Sequence, residues 1–277
     1  MRRNYWSPHL GGAQRATGRG GRRGWGEVTI GSLFSGIGGL ELGLERAGLG
    51  PVVWQCEPDA DARAVLSWHW HRVQIFRDVR ELDRYHGDWC RGGWDCECED
   101  PIEPVDVMCG GFPCQDLSSA NVVCRTGLAG PRSGLWRSYL GAIEYVRPSW
   151  VVVENVGSSW REWVPVVRRD LCRSGYSSVP LALSPAELGY PHHRDRVFVV
   201  AYAHGQGEPL RAVHATMASV REAAGRDGSR TRASCAEAVA RADGLPAGLA
   251  RLPGNAVVPD VAFHIGRGIK QVMDEIL

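Results

Sequence analysis

Lysine is almost missing: Lys270 is the only one in the chain, so the cationic inventory is otherwise arginine. Arginine's planar fork pairs bidentately with phosphate and guanine, although the base composition of a gene produces the same bias. An excess of one charge is missing too, because 32 Lys and Arg oppose 31 Asp and Glu for a formal net charge of +1. Global attraction to a polyanion or a membrane surface is not encoded, and any polyanion site must be local. No apolar run approaches the length that crosses a bilayer, and no apolar stretch follows the Met1-Arg2-Arg3 start, so no secretory signal is readable. The nine cysteines are odd in number and irregularly spaced, which fits free thiols in a reducing compartment better than a disulfide framework. The rest is ordinary globular usage, 44% apolar and 23% charged over 277 residues, enough for one large or two modest domains.

Residues 1–26 carry Gly and Arg but no acidic residue and no apolar periodicity, and read as a disordered arm. From Val28 the pattern changes. The apolar run 28–34 leads into Ser35-Gly36-Ile37-Gly38-Gly39, and Leu40, Leu42, Leu44 and Ala47 follow: strand, glycine turn, helix. Further strands are expected at 52–56, 73–76, 105–109, 150–153 and 196–201, and helices over 59–70, 135–146, 159–174 and 258–276. In the last helix Val261, Ile265, Ile269, Val272 and Ile276 share one face. Alternation of strand and helix predicts an α/β fold, a mostly parallel sheet with helices on both faces. The Ala/Arg/Gly-rich stretch 203–243 reads as a linker or a small helical insert.

The chemistry gathers where strands end. The turn 34–39 puts glycines and a helix N-terminus beside any ligand at the end of the first strand. Glu57 closes the second strand, where a carboxylate accepts from ribose hydroxyls, so a nucleoside-bearing cofactor is expected. Asp78, past the third strand, is placed to accept from an exocyclic amine, although a helix cap is the commoner role of a lone Asp. Gly110-Gly111-Phe112-Pro113-Cys114-Gln115 follows the next strand directly, which makes Cys114 a candidate nucleophile or, like most free cysteines, a small buried hydrophobe. Glu154-Asn155 then brings a carboxyl group to the same edge. A thiol with a neighbouring carboxyl suits addition to an electron-poor ring whose nitrogen the carboxyl protonates.

The ordered set of Phe34, Ser35, Gly36, Ile37, Gly38 and Gly39, then Glu57, Asp78, Pro113-Cys114-Gln115, Glu154-Asn155-Val156, Arg194-Asp195-Arg196 and Gly254-Asn255-Ala256-Val257-Val258-Pro259 resembles the cytosine-C5 DNA methyltransferases. Each motif is weak alone, but all in this order are specific, and the resemblance covers roughly 28–201 and 244–270. It implies a Rossmann-like, S-adenosylmethionine-dependent methyltransferase fold, with 27–202 as the catalytic domain, 203–243 as an abbreviated target-recognition or hinge segment, and 244–277 returning to the catalytic domain. By the same resemblance the turn residues, with Glu57, Pro58, Asp78, Val79, Pro113, Asn255 and Ala256, hold S-adenosylmethionine. Cys114 as thiolate would add to C6 of a flipped-out cytosine and make C5 nucleophilic toward the cofactor's methyl group. Buried Glu154 would donate toward N3 and accept from the exocyclic amine, with Asn155 fixing that carboxyl and the Cys114 loop. Arg194 and Arg196 would touch the base carbonyl or the phosphate. Gln115, Ser118, Ser119, Arg125 and Arg132 would lie in a polar loop that closes over double-stranded DNA. The enzyme so implied is a DNA (cytosine-5)-methyltransferase of prokaryotic or phage type, cytoplasmic and monomeric.

Two features depart from the family's pattern. Pro191-His192-His193 precedes the Arg pair where family members commonly carry Gln. The stretch 203–243 is short for major-groove readout, so a site of about two to four base pairs, or a partner that supplies recognition, is expected. His86, Cys90, Cys96 and Cys98 are metal-ligand types, but they lack paired CxxC knuckles, and no metal is expected there. Other readings stay open. One is a catalytically silent accessory subunit, against which the retained Cys114 and Glu154 stand; another is an RNA cytosine-5 methyltransferase of the tRNA-modifying type. A dehydrogenase accounts for the glycine turn but not for Pro-Cys-Gln with Glu-Asn-Val.

Overall fold

A computed structural model of the chain describes residues 28–84, 102–113, 135–191, 195–203, 207–226 and 256–276. Seven strands form one sheet of order β3-β2-β1-β4-β5-β7-β6. They are β1 Ile30–Leu33, β2 Val52–Cys56, β3 Gln74–Phe76, β4 Val107–Gly111, β5 Trp150–Val156, β6 Tyr176–Leu183 and β7 Arg196–Ala203. The first five pair in parallel; β7 runs antiparallel to both β5 and β6. Strands covered on both sides have no solvated face, which is why β5 opens on four apolar residues in a row. The two-residue period divides them between two cores: Ile30, Val107, Cys109 and Val152 face one, and Leu33, Met108, Val151 and Val153 face the other.

The described helices are α1 Gly39–Arg46, α2 Ala60–His69, α3 Val79–Arg84, α4 Leu135–Val146, α5 Trp160–Arg173, α6 Glu208–Arg226 and α7 Pro259–Ile276. The first core contains residues of α1, α2, α6 and α7, and the second residues of α4 and α5. Val261, Ile265, Ile269 and Val272 of α7 are buried as the stripe predicts, while Ile276 is exposed. The approach of α7 to α1 depends on glycine: a Cβ at Gly39 would stand 2.1 Å from the carbonyl oxygen of Val257, and one at Gly43 2.3 Å from that of Pro259. Residues 256–258 are thereby pressed against the helix that follows the glycine turn.

Two differences from the sequence reading have physical causes. First, β6 was not expected, because Ser177, Ser178 and Pro180 break its apolar pattern; it is the last strand of the sheet, where proline is tolerated. Second, β5 runs to Val156, so Glu154 and Asn155 lie within the strand rather than after it. Of the two readings of the stretch 203–243, linker or small helical insert, the structure bears out the helix: residues 208–226 form the 19-residue α6. Buried Ala212, Val213, Thr216 and Val220 pack it against α7, Gly268 lies under the Ala212 carbonyl oxygen, and Ser219 Oγ is 2.8 Å from His264 Nδ1. Small side chains suffice because the helices approach closely. Residues 227–243, the arm 1–26 and the His86, Cys90, Cys96, Cys98 group lie outside the described residues. Among the described residues no helix is long and apolar enough to cross a membrane.

Candidate active site

Pairing register brings the candidate residues to one edge. Leu33 lies beside Gly110, Gly111 beside Glu154, and β7 enters at Arg196 opposite Val156. This is the carboxyl edge of the parallel strands, where open α/β sheets bind ligands.

On the β1–β2 side, the backbone turns sharply: Phe34, Gly36 and Gly38 have φ of 55°, 56° and 84°. Glycine enters this left-handed region without steric cost, whereas Phe34 does so at a site of strain. Glu57 fixes the turn from β2, its Oε2 accepting from the Gly36 N–H at 2.7 Å and its Oε1 from the Asp59 N–H at 2.9 Å. Burial pushes the Glu57 carboxyl above its ordinary range, against the backbone donors that favour its charge. A Cβ at Gly36 would meet nothing within 4 Å, so the turn leaves open space beside an anchored carboxylate with lone pairs to spare. That combination fits a nucleoside-bearing cofactor. Asp78 caps α3, accepting from the Arg80 N–H at 2.9 Å and pairing with the Arg80 guanidinium. It therefore fills the cap role in this structure. Ile37 and Val79 are core residues, and Pro58 is exposed.

On the β4–β5 side, Glu154 is 9% exposed and its Oε1 lies 2.8 Å from Arg196 Nε. Its Oε2 fills the space a side chain at Gly111 would need, at 2.4 Å from such a Cβ. Asn155, 2% exposed, donates from Nδ2 to the Phe112 carbonyl oxygen at 3.1 Å and accepts the Val156 N–H at 2.7 Å. It ties β5 to the chain two residues before Cys114. Phe112 is held from the other side by the rings of Trp136 and Trp163, each with its centroid 5.8 Å away. Sequence reasoning missed Gly111, Trp136 and Trp163 as parts of the site; the only signal was a pair of tryptophans on apolar helix faces. Burial pushes the Cys109 thiol well above the ordinary range, so it stays protonated and inert. The other thiol of the segment, Cys114, lies outside the described residues, as do Gln115, Ser118, Ser119, Arg125, Arg132, Arg194 and Asn255. Pro113 is the last described residue before that gap. Ala256 lines a small cavity with Leu183, Arg196 and Phe198, on the β6–β7 side of the edge.

A sheet of this order, with one antiparallel strand set between the fifth and the last, is a Rossmann-like methyltransferase fold. The family model for C-5 cytosine-specific DNA methylases matches residues 28–227, and the chain belongs to that family. Type II methyltransferase M2.BsuMI of Bacillus subtilis (strain 168) is 33% identical over 178 residues, covering 61% of this chain and 41% of that protein. Type II methyltransferase M.AluI of Cellulosimicrobium cellulans is 33% identical over 181 residues, covering 61% and 32%. The chain thus spans less than half the length of these curated relatives. A solved structure assigned as a DNA modification methyltransferase encoded within an E. coli prophage superposes with a TM-score of 0.59 at 17% identity, over 90% of this chain and 100% of that one, a likeness of fold.

Proposed function

We propose that the chain transfers a methyl group from S-adenosylmethionine to C5 of a flipped-out cytosine in duplex DNA, acting as a monomer. The observation that carries the reading is the convergence of the Glu154–Arg196 pair and the Asn155–Phe112 bond on the strand end that leads into Pro113-Cys114.

S-adenosylmethionine supplies an electrophilic methyl group; the turn 34–39 and Glu57 would hold it, with Asp78, Pro113 and Asn255 around it. The protein's own part is to make cytosine a nucleophile. The Cys114 thiolate forms a bond to C6, and the ring's electron pair moves toward N3, where the Glu154 carboxyl places a proton. C5 then bears the electron density that takes the methyl group. Transfer of the C5 proton to water, return of the N3 proton to Glu154 and departure of the thiolate restore the ring. Glu154 also accepts from the exocyclic amine, which thymine lacks. Arg196 pairs with Glu154 in the geometry seen, and shifting to the base carbonyl would ease protonation of the carboxyl.

Duplex DNA bearing 5-fluorocytosine tests this directly, because fluorine cannot leave C5 as a proton does and the covalent adduct accumulates. The expected result is a denaturation-resistant protein–DNA complex that requires S-adenosylmethionine and is lost in Cys114→Ala. Cofactor-binding wild-type protein that traps no DNA would contradict the mechanism.

A further inference from the structure

Past Arg196, the sheet edge opens into a cleft of about 840 Å³ between the start of α5 and the strands β6 and β7. Trp160 forms one wall, Pro180 of β6 another, and Glu187, Asp195 and Arg196 line it. Trp160 is 41% exposed even though the Arg161 guanidinium lies 4.8 Å from its ring centroid. A tryptophan left in solvent beside a ligand site marks a contact surface, since its apolar ring gains most from being covered. Its neighbours narrow the choice of ligand. Two carboxylates disfavour a phosphate but accept N–H groups, Glu187 through the oxygen that does not cap the Ser184 N–H, and an aromatic face braced by a cation suits a flat π-system. A nucleobase offers both. Arg196 joins the cleft to the site already described, since the same side chain holds Glu154.

We propose that Trp160, braced by Arg161, stacks a second nucleobase of the DNA substrate, one unstacked when the target flips out, and that Glu187 and Asp195 favour a base with an exocyclic amine over thymine. This rests on the methyltransferase reading above. Trp160 acts on substrate binding rather than on the methyl-transfer step.

Steady-state methylation of duplex oligonucleotides by wild type, Trp160→Phe and Trp160→Ala, with S-adenosylmethionine affinity measured alongside, tests it. Trp160→Ala should raise KM for DNA about tenfold, as expected for losing one base–aromatic stack, with kcat and cofactor affinity retained. Trp160→Phe should stay near wild type, and Glu187→Gln should weaken the preference against thymine beside the target. An unchanged KM in Trp160→Ala, an equal defect in Trp160→Phe, or a parallel loss of cofactor affinity would overturn the stacking role while leaving the methyltransferase reading intact. Wild-type protein that methylates no DNA would overturn both.

Discussion

Asn155 does its work through one amide, bonding the Phe112 carbonyl on β4 and the Val156 N–H on its own strand. Asn155→Ala orphans the buried Phe112 oxygen. Loss of such a partner costs about 1–3 kcal/mol, and the chain entering Cys114 loses its tether. The expected outcome is a lower urea midpoint and a fall in kcat with little change in cofactor affinity; equal losses in both kinetic terms would show that Asn155 serves the fold alone. At this scale the sequence was most legible where a residue had no packing reason to be there. Glu57 follows β2 and Glu154 lies in the last half of β5, each with a carboxyl group that a core would exclude, and the structure anchors both at the sheet edge. Gly111 and the Trp136–Phe112–Trp163 stack were not legible, because their meaning comes from β5, α4 and α5 converging from distant parts of the chain.

Elements are held together partly by a group that sequence reasoning passed over. Glu41, in the first turn of α1, is completely buried, and its Oε1 is 3.4 Å from Gln55 Nε2 of β2. Burial is the main cause that raises its carboxyl above the ordinary range. A raised acid binds a proton more tightly folded than unfolded, so its stabilising contribution is present below its ordinary value near 4.5 and is lost as pH rises through the folded value. Glu41→Gln keeps a carbonyl acceptor and removes the titration. Urea unfolding of both proteins at pH 5 and pH 8 should show the variant gaining on wild type at the higher pH; a constant difference would mean Glu41 is not the source. Most helices and the parallel strands were legible by their periods, and α6 as one of two readings of its stretch, whereas α3 and β6 were not. An edge strand carries serine and proline that look like loop.

At the scale of the whole molecule, one sheet places the anchored Glu57 turn and the Glu154–Arg196 pair along the same edge, and α7 returns to lock α1 behind the turn. The alternating pattern made the parallel half of that sheet readable. Strand direction leaves no mark in an apolar run, so the antiparallel entry of β7 was not, although it is what delivers Arg196 to Glu154. The activity proposed for this edge is the making of 5-methylcytosine in DNA through Cys114. Base-resolution mapping of 5-methylcytosine in a host without its own cytosine methylation, expressing the wild-type chain or Cys114→Ala, tests that claim most directly. The expected result is a discrete methylated motif with wild type and none with the variant; soluble, cofactor-binding wild-type protein that leaves the host DNA unmethylated would contradict the proposed activity.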